Sequence, residues 1–176
     1  MKIIKLIILD VDGIMTDGSK YYNSDGSVVM KKFCDKDWTA IKKVKSVGIN
    51  VIFVSGDSSN RGIADKRSID FFCSQNVDKA DFIPVIEKKY RIKSQNMCYF
   101  GDDLFDISIM KSVAYAYCTK SSPKEVIDIC HVLDVNGGDN AVLKLVEHLE
   151  DSGKIEKKEI KDIIKKINDL DKKESY

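Results

Sequence analysis

The chain has 176 residues, 43% of them hydrophobic and 32% charged, with a formal net charge of +1. That length suits one domain with a sizeable core, the composition excludes a disordered chain, and the balanced charge gives no global field to draw nucleic acid or an anionic membrane. No apolar run approaches the ~20 residues of a membrane span, and Asp10 cuts short the amino-terminal MKIIKLIILD with no small-residue cleavage site behind it, so a soluble, cytoplasmic protein is expected.

Ile3 to Leu9 is a nearly continuous aliphatic run that reads as a strand buried on both faces. Next, SKYYNSDGSVVMKKF sets two β-prone runs about Asp25-Gly26, a hairpin signal. DKDWTAIKKVKSVG opens on capping acids, spaces Trp38, Ile41 and Val44 as one helical face, and stops at Gly48. INVIFVSG reads as a second buried strand, DSSNRGIADKRSI as a helix weakened by Gly62, and DFFCSQ as a short strand. KADFIPVIEKKYRI is helical with Pro84 in its first turn, NMCYFGDD is a third buried strand ending on acids, and LFDISIMKSV is helical. AYAYCT, SPKEVIDIC and HVLDV give strand, Pro-initiated helix and strand, and GGDNAVLKLVEHLE a helix after a Gly-Gly turn.

Strand and helix alternate at βαβ spacing. The expected fold is therefore α/β, a doubly wound, Rossmann-like parallel sheet, with a hairpin insertion at about 19–33 after the first strand. Residues 1–150 make the domain and 151–176 a charged helical tail. In that tail Ile160, Ile163, Ile164 and Ile167 form one apolar stripe, read as a terminal helix packed on its own domain; an oligomer contact or a lid is the other reading. Cys34, Cys73, Cys98, Cys118 and Cys130 are odd in number, scattered and free of any CxxC pair, which points to reduced thiols without a metal or redox role.

The chemistry lies at the strand ends. A buried strand excludes water, so carboxylates at its end belong at a mouth in the fold, and ligands of doubly wound sheets bind at the carboxyl ends of the strands. The first strand ends in DVDG, the second in VSGD, the third in FGDD, and Lys79 opens the helix between the second and third. One such ending is common; all in this order are specific.

ILDVDGIMTDG, Ser55, Lys79 and GDDLFD resemble the four motifs of the haloacid dehalogenase superfamily. The hairpin in place of a cap domain, with DK at 78–79 and GGDNAV, is similar to its capless branch, the 3-deoxy-D-manno-octulosonate 8-phosphate phosphatases and their relatives acting on nine-carbon ulosonate 9-phosphates. The resemblance spans Lys5 to about Leu149. It implies a Mg²⁺-dependent phosphatase of a phosphorylated sugar acid, assembled as a homotetramer. Asp10 is the expected nucleophile, forming an aspartyl-phosphate, and Asp12 the acid–base group. Ser55, Gly56, Asp57 and Lys79 would contact phosphate or substrate, and Lys79 would also orient Asp10. Asp10, Asp102 and the Asp12 backbone carbonyl would hold Mg²⁺, a hard cation that takes oxygen ligands, with Asp103 and Asp106 supporting the metal or capping a helix. Asp17 reads as a turn cap, and His131 and His148 as structural.

Two departures bear on the substrate. Octulosonate-type members carry Gly-Arg after the second strand, where this chain has Asp57, and RDG where it has DKDW at 35–38. An acid at 57 resembles the nine-carbon relatives; Arg61 and Arg67 are candidate carboxylate partners. The rival class, a non-catalytic phosphatase-like module fused to a nucleotidyl-sugar synthetase, predicts lost catalytic acids, and none is lost here.

Overall fold

The structure, a computed structural model, describes residues 3–171. In chain order its elements are β1 (Leu6–Leu9), β2 (Tyr21–Tyr22), β3 (Val28–Met30), α1 (Asp35–Ser46), β4 (Asn50–Ser55), α2 (Arg61–Lys66), β5 (Asp70–Cys73), α3 (Ile83–Tyr90), β6 (Met97–Phe100), α4 (Ile107–Ser112), β7 (Tyr115–Thr119), α5 (Lys124–Ile127), β8 (His131–Leu133), α6 (Ala141–Asp151) and α7 (Ile160–Asp171). Among the described residues, six strands form a parallel sheet in the order β5-β4-β1-β6-β7-β8, and β2 and β3 pair apart from it as an antiparallel hairpin. β1 is central: the chain winds outward through β4 and β5, then returns to β6 on the other side. That reversal makes the crevice beyond the carboxyl ends of β1, β4 and β6 the place where a site forms.

The alternation of a strand explains the two cores. Ile7 and Leu9 of β1 join Val51, Phe53, Cys98 and Phe100 on one face, under Trp38, Ile41 and Val44 of α1 and Leu145, Val146 and Leu149 of α6. Leu6 and Ile8 join Ile52, Val54, Met97 and Tyr99 on the other, under Ile86 of α3, Ile109 and Met110 of α4 and Val126 of α5. Burial on both faces accounts for the aliphatic run of β1 and the apolar runs within β4 and β6. All five cysteines are free; Cys98 and Cys118 are buried, whereas Cys34, Cys73 and Cys130 are half-buried.

Three local expectations change in detail. The segments after β4 and β6 begin as single 3-10 turns before α2 and α4. α1 starts after Cys34, which supplies no side-chain cap. Asp37, expected to cap α1, turns away and accepts a hydrogen bond from the Leu143 N–H at 2.9 Å in the first turn of α6.

The tail begins in the core, where Ile155 is buried and the Ile4 N–H donates to the Lys154 carbonyl at 3.0 Å. α7 then lies on α1, with Ile163 buried and the Lys166 ammonium 3.1 Å from the Ser46 carbonyl. Of the apolar stripe, Ile160 and Ile164 remain exposed, and residues 172–176 of the tail lie outside the described residues. No helix of the described residues is long and apolar enough to cross a membrane.

Candidate active site

Register sets the site. Leu9 of β1 pairs with Phe53 of β4 and Phe100 of β6, so the residues that follow, Asp10, Ser55 and Asp102, leave the sheet at nearly the same level. The Asp10 N–H still donates to the Phe100 carbonyl at 2.9 Å, the last rung before the chains part. These residues line one cavity of about 1020 Å³ together with Asp12, Lys20, Gly56, Asp57, Lys79 and Asp103, and with an apolar rim that includes Val77, Leu104 and Phe105. The structure thus brings to one opening every expected catalytic, phosphate-contacting and metal-holding residue; Asp106 lies outside its lining, as do Arg61 and Arg67, the candidate carboxylate partners.

Lys79 enters from the turn after β5 and is buried. Its ammonium donates to Asp10 at 2.9 Å and Asp106 at 2.5 Å, with the Tyr99 hydroxyl at 3.3 Å. Burial would lower its pKa, but the two carboxylates outweigh that and hold it firmly protonated. Asp106 is wholly buried and saturated: it accepts from Lys79, from the Tyr99 hydroxyl at 2.6 Å, and from the Asp102 and Asp103 N–H groups at 2.9 and 3.0 Å. It fixes Lys79 and the β6 loop and has no lone pair to spare. Asp103 caps the following turn through the Leu104 N–H.

Asp10, Asp102 and Asp106 each place a carboxylate oxygen within 4.8 Å of the others. Burial raises the Asp10 carboxyl to about 7, against the Lys79 charge and with the help of Asp106. Burial, then Asp10, Asp106 and Asp103, raise Asp102 to about 8. Asp102 Oδ1 is buried without a hydrogen-bond partner. Since Asp106 is saturated, Asp10 and Asp102 are the pair left to meet a cation. An orphaned carboxylate oxygen beside a second buried acid is the donor set a hard divalent ion would satisfy.

Asp12 lines the same cavity but has a separate set of partners. Its carboxylate takes the Lys31 ammonium at 2.9 Å and the Asn60 amide at 3.1 Å, with Lys20 and the Thr16 hydroxyl at 3.5 Å. Ser55 Oγ accepts from the Asn60 amide at 3.0 Å and the Asp57 N–H at 3.3 Å, leaving its own proton for a ligand. Asp57 lines the cavity, but its Oδ2 is taken by Lys20 at 2.7 Å and Lys31 at 2.8 Å. Burial would raise its pKa, but the hydrogen bonds from Lys20, Lys31 and Ser59 hold it well below the usual carboxylate range. Neither Arg61 nor Arg67 lines the cavity; their guanidinium groups lie over Phe71 and Trp38. His131 and His148 stack on each other, ring centroids 4.6 Å apart, against Tyr117 and away from the cavity.

Sequence reasoning passed over Lys20, Lys31, Asn60 and Tyr99. The lysines merely flank β-prone runs, and Tyr99 is one aromatic among core residues. A lysine at each root of a hairpin that follows the DVDG turn was the one signal that pointed to them.

The haloacid dehalogenase-like hydrolase family model matches residues 60–146. The 3-deoxy-D-manno-octulosonate 8-phosphate phosphatase KdsC of Haemophilus influenzae is 31% identical over 144 residues, 78% of this chain and 78% of that protein. Its Salmonella typhi counterpart is 27% identical over 83% of this chain and 79% of its own. Among solved structures, the cobalt-bound Haemophilus influenzae phosphatase superposes with a TM-score of 0.78 at 27% identity, covering 85% of each chain. The Moraxella catarrhalis 3-deoxy-D-manno-octulosonate 8-phosphate phosphatase, in complex with magnesium, phosphate and the sugar acid, gives 0.76 at 26% over 96% of this chain and 90% of that one. The chain belongs to the haloacid dehalogenase-like hydrolases, in the branch of these octulosonate phosphatases. It is accordingly a phosphoric monoester hydrolase.

Proposed function

We propose that the chain hydrolyses the phosphomonoester of a 3-deoxy-2-ulosonic acid, of the 3-deoxy-D-manno-octulosonate 8-phosphate type, with Mg²⁺ as cofactor. The observation that carries this is the meeting of Asp10, Asp102 and Lys79 at one sheet edge, in a chain that is similar to octulosonate phosphatases over most of its length. The ion would be held by Asp10, Asp102 and the Asp12 backbone carbonyl, and when bound supplies the positive charge that lets a carboxylate approach a phosphate dianion.

Asp10 attacks phosphorus through its carboxylate oxygen, forming an O–P bond as the bond to the sugar oxygen breaks. The leaving oxygen takes a proton from Asp12. In the second half a water oxygen bonds phosphorus, its proton passes to Asp12, and the electron pair of the Asp10–phosphorus bond returns to Asp10. Lys79 holds Asp10 in line and balances the phosphoryl charge, and Ser55 donates to a phosphoryl oxygen.

A nine-carbon ulosonate 9-phosphate is the second reading, favoured by the acid at Asp57. The non-catalytic module is disfavoured because the catalytic acids stand together at the cavity. We further propose the domain division at about residue 150, a cytoplasmic location, and a homotetramer formed through the hairpin, whose Tyr21, Tyr22, Val29 and Met30 are each more than half exposed.

The test is hydrolysis of a panel of eight- and nine-carbon ulosonate phosphates and simple sugar phosphates, with Mg²⁺ and with excess chelator. Selective turnover of one ulosonate phosphate that vanishes with chelator and returns with Mg²⁺ is expected. A preference for simple sugar phosphates would reject the substrate, and turnover in excess chelator would reject the cofactor.

A further inference from the structure

We propose that Lys31 is a positioning residue that sets the orientation of Asp12, so that the root of the hairpin governs proton transfer to and from the reacting oxygens. The inference rests on the reading of Asp12 as the acid–base group.

Lys31 directly follows β3, and its side chain is 7% exposed. An ammonium has three N–H donors, and here each has an oxygen: Asp12 at 2.9 Å, Asp57 Oδ2 at 2.8 Å and Asn60 Oδ1 at 2.7 Å. None is left for a phosphoryl oxygen, and Lys31 is not among the residues that line the cavity. Both features separate it from Lys79, which meets the nucleophile. Lys31 therefore acts through Asp12 rather than on the substrate.

The network around it is closed. Asn60 is buried; it accepts from Lys31, and its amide nitrogen reaches both Asp12 and Ser55. Asp57 neutralises the second charge of the pair of lysines, and Lys20, just before β2, grips Asp57 from the other root. A buried ammonium is tolerated only with such partners. Without Lys31, the Asp12 carboxylate keeps one strong tether, the Asn60 amide, and is free to visit other staggered rotamers. A proton donor displaced by about 1 Å can cost about 10²-fold in rate.

The leaving group separates this role from the alternatives. A primary alkoxide needs a proton as its bond to phosphorus breaks, whereas a dinitrophenolate departs without one. Lys31→Met, which keeps the stem and loses the donors, is to be compared with wild type on a primary alkyl phosphate ester and on 2,4-dinitrophenyl phosphate. The expected result is a kcat lowered by about 10²-fold on the alkyl ester with KM within about threefold, while the first-turnover burst of dinitrophenolate stays within about threefold and later turnovers slow, because Asp12 must still accept the proton of water. Equal loss of the alkyl rate and of the aryl burst would overturn the proposal, as would a change confined to KM, which would put Lys31 on the substrate. If Lys31→Met does not fold, Lys31→Gln is held to the same criteria with a smaller split. Crystal structures give a readout free of turnover: the Asp12 carboxylate, left with the Asn60 amide as its main tether, should spread over more than one rotamer in the variant, and an unmoved, single Asp12 rotamer would overturn the proposal. A wild type that splits both test esters but no ulosonate phosphate would reject the substrate reading alone.

Discussion

Gly13 sits against Asp102 so closely that a Cβ on it would meet the Asp102 carboxylate at 2.1 Å, and its φ of +93° is one that side chains rarely adopt. The DVDG turn thus packs directly against Asp102, one of the acids proposed to hold the cation. A Gly13→Ala variant should lose about 1–3 kcal/mol to backbone strain and should displace Asp102. The expected outcome is Mg²⁺ binding weakened at least about tenfold by calorimetric titration, with turnover falling in step. Unchanged affinity would show that Asp102 does not meet the ion.

Asp10→Asn keeps the volume and removes the nucleophilic charge. Turnover should fall by at least about a thousandfold, while circular dichroism and the melting temperature stay at or above wild type, since one of three clustered carboxylates is gone. Residual activity within tenfold of wild type would remove Asp10 from the mechanism.

Lys79 is the only cation touching Asp10 and Asp106 among the described residues. Lys79→Met leaves two buried carboxylates uncompensated, and breaking a buried pair from one side costs about 3–5 kcal/mol. For a domain of this size that corresponds to a melting temperature lowered by about 10 °C in the presence of chelator. A loss of only one or two degrees would mean that the cluster is held mainly by Tyr99 and the backbone.

Asp57 supplies a pH dependence whose sign follows from its environment. Its folded pKa lies below the unfolded value of 3.8 because Lys20, Lys31 and Ser59 bond the charged form. Such a group stabilises the fold fully above about pH 4, and the contribution is lost as pH falls below that, toward the folded pKa. Asp57→Asn should therefore melt below wild type at pH 5–7, and the gap should close between pH 4 and pH 2. A gap that is constant across that range would mean that the pairs of Asp57 with Lys20 and Lys31 contribute nothing to stability.

The fold and the strand-end acids were legible because their signals are local. Ile3 to Leu9 is apolar on both faces and stops at Asp10, and a parallel sheet places such endings side by side. The support of the site was not legible, because its bonds join distant positions. Lys31 meets Asp12 across 19 residues and Asn60 meets Asp12 across 48; the folded-back hairpin brings the first to Asp12, and the pairing of β1 with β4 brings the second. Asp37 shows the same limit: its place in the first turn of α1 argued for a local cap, while its bond runs 106 residues away to α6. The acid at position 57 was read as facing a sugar; it does line the cavity, but two lysines take its Oδ2, a pairing that no spacing in the sequence announces.

The hairpin carries the last prediction. Among the described residues, no cap covers the cavity, and beyond the rim of Val77, Leu104 and Phe105 a neighbouring copy of the chain would add further walls for discrimination between esters. β2 and β3 pair, among the described residues, only with each other, with an irregular register between Tyr21 and Tyr22. Their outward side chains leave Tyr21, Tyr22, Val29 and Met30 in water, a short apolar edge of the kind that invites pairing unless it is closed off. Symmetric association would bury it in a closed ring of copies rather than an open chain. Because Lys20 and Lys31 root the hairpin on Asp57 and Asp12, a hairpin clamped between subunits would also steady Asp12, the proposed acid–base group. For the homotetramer that the family resemblance implies, light scattering at micromolar concentration should give four times the 19.9 kDa chain mass. Val29→Glu with Met30→Glu should dissociate the assembly and lower kcat together, while leaving the melting profile of the central domain intact. A monomeric wild type with full activity would mean that the hairpin serves its own site alone, and dissociation without loss of rate would separate assembly from catalysis.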